Sequence, residues 1–303
     1  MFSLVITHQA QLPYALIAHE SAPLAFGTGG GTMFGRYSAD SPELSIIIPA
    51  HNEAGRILPY LRQITDYFQK YKRVYELLVV DDGSTDATAA VVEGFARSAP
   101  AVQLLRLPTC QGKGAAVRHG IQSAAGYLQL FADADGATPI DELSRLEKAL
   151  AEGADVAIGS RALAARLPDF AVHARLYRSV LGALFNAAVQ QSGITGISDT
   201  QCGFKLFRRV VAQELFGYAS IDGFGFDLEL LYLAQQRGYR IAEVPVNWCD
   251  QPGSKVRVLR DGLAMLRELA VIRRNSSRGC YDTPSFSPEL VSVGAGRFRV
   301  PAR

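Results

Sequence analysis

Apolar and polar positions follow two alternating rhythms from Leu44 onward. Near-continuous apolar runs cover Leu44 to Ala50, Glu76 to Asp82, Val102 to Leu107, the stretch from Tyr127 to Ala132, and Asp155 to Gly159. Between them, apolar residues recur every three or four positions: after the first run to about Tyr71, from Asp86, from Lys113 and from Pro139. Runs with no polar face read as strands buried on both sides, and the intervening period of 3.6 reads as covering helices. The predicted class is therefore α/β, a mostly parallel mixed sheet flanked by helices. After Arg161 the rhythm changes. A helical pattern from about His173 to Gln191 leads through a Gly/Thr/Ser-rich connection to the short run Cys202 to Phe207, and a further helix starts near Phe226. Arg240 to Trp248 alternates like a strand, and Val256 to Arg274 reads as a basic amphipathic helix.

The ends carry no such pattern. Residues 1–42, with Gly27-Thr28-Gly29-Gly30-Gly31, read as a poorly ordered leader; residues 43–275 form the principal domain; residues 276–303, with Pro284, Pro288, Gly294 and Gly296, read as a flexible tail. The triple glycine follows no strand and opens no helix, so it reads as linker, not as a dinucleotide loop. No stretch reaches the roughly 20 apolar residues of a spanning helix.

Composition narrows the classes. A 303-residue chain that is 48% hydrophobic can bury a large core, and a net charge of +2 gives no sign of a nucleic-acid partner. The four cysteines, Cys110, Cys202, Cys249 and Cys280, form no C-x-x-C pair, which disfavours a zinc or redox motif and suits a reduced, cytoplasmic setting.

Ligands on parallel sheets collect beyond the carboxyl ends of the strands. The first run ends in Pro49-Ala50-His51-Asn52-Glu53, the second in Asp81-Asp82-Gly83-Ser84-Thr85-Asp86, and the Tyr127 run in Asp133-Ala134-Asp135-Gly136. Asp86 reads as a helix cap. The other acids converge on one edge and repel unless a cation or hydrogen-bond donors lie between them. Two aspartates flanking one small residue suit Mg²⁺ or Mn²⁺, hard cations that share oxygen ligands with a substrate's phosphates. Gly112-Lys113-Gly114 is not a Walker loop, since Leu107 stands at the leading-glycine position and Gly114 at the Ser/Thr position. Opening a helix, it can still offer an ammonium and N–H groups to a phosphate. The alternative is a solvated lysine in a turn.

In this order the motifs resemble glycosyltransferase family 2, with its GT-A fold and Rossmann-like sheet; the likeness spans roughly residues 44 to 260. The downstream segments Asp199 to Phe207, Gly223 to Asp227, Glu243 to Trp248 and Gly253-Ser254-Lys255-Val256 are similar to the dolichyl-phosphate β-glucosyltransferase branch, as is Asp-Gly-Ala-Thr at 135–138. The resemblance implies an inverting hexosyltransferase with a nucleotide-sugar donor, UDP-glucose, and a polyprenyl-phosphate acceptor. It puts Asp82 on the donor's base, with Pro49, Asn52 and Glu53 lining the nucleoside. It puts Asp133 and Asp135 on the metal and sugar diphosphate, with Lys113 and Arg161 on the donor. Asp199, Asp135 and Lys255 are the implied catalytic residues, and Arg175, Lys205, Ser254 and Lys255 the implied acceptor contacts. Asp199 reads equally as a base or as a positioning residue.

A lipid phosphate is already anionic and needs cationic guides more than a strong base. Its tail requires contact with a membrane surface. The helical patterns His173 to Gln191 and Val256 to Arg274, each with leucines beside arginines, suit a peripheral interfacial helix or simple packing on the protein itself. Two alternatives within the family remain: a glycan or small hydroxyl acceptor, and GDP-mannose as donor.

Overall fold

The computed structural model describes residues 41–173, 189–190, 193–253 and 258–282. Arg175, Ser254 and Lys255, most of the 173–191 helical pattern, and nearly all of the expected leader and tail lie outside them.

Seven strands form the main sheet: β1 (Leu44–Ala50), β2 (Tyr75–Asp82), β3 (Val102–Leu107), β4 (Leu128–Ala132), β5 (Val156–Ser160), β7 (Phe204–Arg208) and β8 (Ile241–Pro245), in the order β3-β2-β1-β4-β7-β5-β8. Two short strands, β6 (Val172–His173) and β9 (Trp248–Cys249), pair beside it. All pairings in the main sheet are parallel except those of β7, which runs antiparallel to both β4 and β5. The strands expected from apolar runs are all present. The reversal of β7 is not visible in the periodicity.

The strands are apolar on both faces because helices cover both. Along β1, Ile46 and Ile48 face one core together with α1 (Ile57–Tyr71), α2 (Thr88–Ala96) and α4 (Leu143–Ala151). Ile47 faces the other, with α3 (Lys113–Ser123), α6 (Arg209–Tyr218), α7 (Phe226–Gln236) and α8 (Val258–Ser277). The single helical turn α5 (Arg161–Ala164) follows β5. In α1 the buried residues Ile57, Tyr60, Leu61, Ile64 and Phe68 form one stripe at helical spacing. Each such side chain contributes roughly 1.5–3 kcal/mol by leaving water. α3 lies close against the sheet because position 120 is glycine: an added Cβ would sit 2.4 Å from Ile47 Cγ2.

Helix α6 has no counterpart among the expected elements, although Val211, Ala212, Leu215 and Phe216 are a buried helical stripe. The folded body also continues past residue 275. α8 runs to Ser277, and Tyr281 is buried, its hydroxyl donating to Glu229 at 2.6 Å.

Candidate active site

Every parallel strand of the main sheet ends at one edge. The antiparallel β7 starts there, so the segment 199–203 joins the loops that follow β1, β2, β4 and β5. A cavity of about 280 Å³ opens at this edge, lined among others by Pro49, Glu53, Asp82, Lys113, Asp133 and Asp135. Six expected donor and metal residues thus share one space. His51, Arg56, Cys110 and Phe224 also line it, and the sequence had singled out none of them for this role.

At one end lies Asp82, nearly buried at the close of β2. Its Oδ1 accepts from Gln111 N at 2.7 Å and its Oδ2 from Gly112 N at 2.9 Å. The loop that supplies these donors lies directly on Gly83, whose positive φ of 61° and missing side chain permit it: an added Cβ would be 2.4 Å from Cys110 N. A carboxylate holds about four acceptor positions, so Asp82 can still take an N–H from a ligand. Cys110 Sγ is 3.3 Å from Asp82 Oδ2. Burial pushes the Cys110 thiol up, and the hydrogen bond to Asp82 adds to it, so it is a thiol at neutral pH.

At the other end Asp133 and Asp135 follow β4. Lys113 Nζ pairs with Asp133 Oδ1 at 2.6 Å, and Arg56 lies 3.7 Å from Asp135 Oδ2. Burial alone would lower the Lys113 ammonium, but Asp133 and Asp227 outweigh it and leave it raised. Burial, then the charge of Asp133, pushes the Asp135 carboxyl up, and because Arg56 is shared with Glu53 the two cations Lys113 and Arg56 face three carboxylates. Two carboxylates with that deficit suit a hard divalent cation bound through oxygen. Arg56 also forms a bidentate pair with Glu53, and donates to the Pro252 carbonyl at 3.4 Å. It therefore ties β1's loop to the Asp133–Asp135 end and to the chain just before Gly253. On sequence it reads as one more exposed helix residue, and only its i+3 spacing from Glu53 hinted otherwise.

The glycines around Lys113 serve packing. Gly112, at φ 116°, would place a Cβ 2.3 Å from Asp222 O, and Gly114 one 2.4 Å from Ile221 O. Gly114 N donates to Asp222 O at 2.7 Å. The start of α3 is thereby pressed onto the 221–226 segment, which carries Phe224 beside the ammonium. Arg118, on the same helix, pairs with Asp222.

Four expected residues, Asn52, Arg161, Asp199 and Lys205, sit elsewhere. Asn52 does not line the cavity: its Oδ1 accepts from Thr85 N at 2.7 Å and Asp86 N at 3.2 Å, and its own N donates to Ser84 Oγ at 2.8 Å. It joins the loops after β1 and β2. Arg161 faces Asp199, with Nε and Nη2 at 2.7 and 2.8 Å from the two carboxylate oxygens and the backbone N at 3.0 Å. Its guanidinium lies over Trp248. Burial would raise the Asp199 carboxyl, but Arg161 prevails and holds it below the ordinary range. A carboxylate so held is a poor proton acceptor at neutral pH and a good anchor for an arginine. Lys205, expected at the acceptor, is fully buried in β7, bonded to Asp227 Oδ1 at 2.5 Å and Cys202 O at 2.7 Å. It cannot reach a lipid phosphate from there, because the sheet is covered on both faces at this strand.

Gly203 lies against Asp133. Asp133 N donates to Gly203 O at 2.9 Å, and a Cβ at 203 would fall 2.0 Å from Asp133 Oδ2.

Residues 45–216 match glycosyl transferase family 2. The chain belongs to glycosyltransferase family 2. It is 40% identical over 249 residues to a dolichyl-phosphate beta-glucosyltransferase of Drosophila melanogaster, covering 77% of this chain and 76% of that one. A dolichyl-phosphate beta-glucosyltransferase of Saccharomyces cerevisiae is 35% identical over 255 residues, covering 78% and 76%. In structure, the family 2 chain resembles glucosyl-3-phosphoglycerate synthase from Mycobacterium tuberculosis, crystallised with Mn²⁺, UDP-glucose and phosphoglyceric acid. The TM-score is 0.54 at 19% identity, over 76% of this chain and 78% of that one. That likeness establishes the GT-A fold. The family match ends at residue 216, within α6.

Proposed function

We propose that this family 2 enzyme transfers glucose from UDP-glucose to a polyprenyl phosphate of the dolichyl type, with inversion at the anomeric carbon. The observation that carries the reading is the 40% identity over 249 residues to a dolichyl-phosphate beta-glucosyltransferase. The geometry agrees with it. One cavity has a hydrogen-bond acceptor for a base at Asp82 and, at its far end, two carboxylates flanked by two cations.

The donor's base donates an N–H to Asp82, whose carboxylate the 111–112 backbone has already oriented. Pro49 and Glu53 line the nucleoside, Glu53 being held by Arg56. Lys113 and Arg56 flank the diphosphate and offset its charge. Asp133 and Asp135 would hold Mg²⁺ or Mn²⁺, which when bound stabilises negative charge on the leaving nucleoside diphosphate. Asp199 and Arg161 act as a unit, with Asp199 fixing the guanidinium near the sugar end. The acceptor phosphate is anionic and attacks without losing a proton, so a depressed carboxyl at 199 is no obstacle. Ser254 and Lys255 follow Pro252, which Arg56 contacts, and the reading assigns them to the acceptor phosphate, with Arg175 as a further guide.

The lipid tail requires peripheral attachment to a membrane, and α8 supplies a surface for it. Leu269 and Ile272 are buried against the core, whereas Leu263 (59% exposed) and Leu266 (39%) share the outer face with Arg260, Arg267 and Arg274. Apolar residues amid arginines suit an anionic bilayer interface. Among the described residues no helix is long and apolar enough to cross a membrane.

The test is transfer of radiolabel from UDP-glucose to polyprenyl phosphate in the presence of Mn²⁺, read in the organic phase, with UDP-galactose and GDP-mannose in parallel. Label is expected in the lipid with UDP-glucose. Label confined to a water-soluble hydroxyl acceptor, or lipid labelling only from GDP-mannose, overturns the reading.

A further inference from the structure

The chain has no zinc-type spacing, yet three strand ends bring a histidine, an aspartate and a cysteine together at the nucleoside end of the cavity. One ligand atom each from His51, Asp82 and Cys110 lies within 4.8 Å of the other two. Each is held in place. His51 Nδ1 is 2.7 Å from the Asp82 backbone carbonyl, which assigns the ring proton to Nδ1 and makes Nε2 the nitrogen with a lone pair. A carbonyl on the second ring nitrogen is the arrangement that orients metal-binding histidines. Asp82 is fixed by the Gln111 and Gly112 amides, and Cys110 by the packing of its backbone on Gly83.

We propose that His51, Asp82 and Cys110 form a site for a borderline-soft divalent cation of the zinc class, distinct from the Asp133–Asp135 pair, and that a cation there excludes the nucleotide-sugar donor. One imidazole nitrogen, one sulfur and one carboxylate oxygen select zinc over magnesium, and three protein ligands leave a fourth position to water. As the metal–sulfur bond forms, the Cys110 proton passes to solvent. His51 Nε2 exchanges its 3.1 Å contact with Asn52 Nδ2 for the metal. The exclusion rests on the functional reading above, because Asp82 cannot at once ligate a cation and receive the donor's base. The cation site itself does not depend on that reading.

Co²⁺ is the probe, titrated into the full chain after chelator treatment and desalting. One equivalent should produce a thiolate-to-cobalt charge-transfer band that Zn²⁺ abolishes and excess Mg²⁺ does not. The band should persist in Asp135→Asn and vanish in Cys110→Ser, a near-isosteric change whose fold is checked by near-UV circular dichroism. His51→Ala should weaken Co²⁺ binding by at least about tenfold. A band retained in Cys110→Ser, or absent from the wild type, overturns the site. Saturating UDP-glucose should weaken Co²⁺ binding about tenfold or more, in line with mass-action competition. An unchanged Co²⁺ affinity in protein that turns the donor over refutes the exclusion. A failed functional reading shows separately, as absent turnover beside an intact band.

Discussion

Replacing Gly203 by alanine should separate folding from catalysis at the Asp133 end of the cavity. The new Cβ would lie 2.0 Å from Asp133 Oδ2, 2.2 Å from Cγ and 2.5 Å from Oδ1, where real Cβ atoms essentially never come within 3.0 Å. Clearing that floor from 2.0 Å means a retreat of about 1 Å by the carboxylate. The backbone is poorly placed to yield, because Asp133 N is bonded to Gly203 O and the next pair, Ala132 and Phe204, is in register in the sheet. The Asp133 side chain, 38% exposed, has room to swing. An off-rotamer χ1 costs about 0.5–1.5 kcal/mol, and replacing glycine where the backbone permits it returns about 0.4–1 kcal/mol through the unfolded state. The net change in stability should therefore be near zero.

Transfer is far less tolerant. A positioning group displaced by about 1 Å costs on the order of 100-fold in rate. Gly203→Ala should melt within a few degrees of the parent by differential scanning fluorimetry. In the radiolabel assay kcat should fall about 100-fold and half-saturation by Mn²⁺ should rise. In an Asp133→Ala background the same change should do little more, since neighbours acting on one contact are not additive. A Gly203→Ala enzyme with parental kcat and parental Mn²⁺ dependence would show that Asp133 is not where the chemistry needs it.

Lys205→Met should destabilise the fold by about 3–5 kcal/mol in urea titration by leaving Asp227 buried without its partner, and Lys205→Met/Asp227→Leu should recover much of that. A stable Lys205→Met variant with a raised acceptor KM would instead return Lys205 to the acceptor. Asp199, depressed by Arg161, contributes stability that is present above the ordinary carboxylate range and lost as pH falls through its lower folded value. It should therefore add no acid limb to the kcat profile between about pH 6 and 8, and Asp199→Asn should lower kcat without changing the shape of that profile. Leu263→Glu/Leu266→Glu should abolish flotation with anionic liposomes at low salt while leaving the melting temperature near parental. Undiminished flotation would remove α8 from the membrane interface.

The sheet and most of the site were legible because a strand buried on both faces leaves an unmistakable apolar run, and the polar residues that end it must lie at the ligand edge. Glu53, Asp82, Asp133 and Asp135 stand at such strand ends and Lys113 opens a helix, while the donor roles given to Pro49, Glu53 and Asp82 came from the family resemblance. Lys205 misled for a physical reason. It was placed at the acceptor as a cation within a matched motif, whereas β7 lies between β4 and β5 under helices on both sides, and the ammonium is balanced by Asp227 from α7. The resemblance put Asn52 on the nucleoside, but at φ 55° its side chain turns to the 84–86 turn. Arg56 and Cys110 were missed because Asp135 and Asp82, which they meet across the cavity, follow other strands, and only the i+3 spacing of Arg56 from Glu53 gave a local sign.

The strand sense was the largest thing hidden, and it decides the site. In a wholly parallel sheet the residues before β7 would emerge at the opposite edge, away from Asp133. Because β7 runs backward, residues 199–203 lie at the ligand edge beside the loop after β5, bringing Asp199 to Arg161 and bare Gly203 to the Asp133 carboxylate. Most acids at this edge then meet a cation or amides from a different strand: Lys113 at Asp133, Arg56 at Asp135, Arg161 at Asp199, backbone N–H groups at Asp82, while Glu53 pairs locally with Arg56. Pairing across strands lets so many carboxylates share one rim without mutual repulsion unfolding it. The exception is the Asp133–Asp135 pair, where burial and like charge still raise Asp135. That residual deficit of positive charge is what a divalent cation and its diphosphate partner can use.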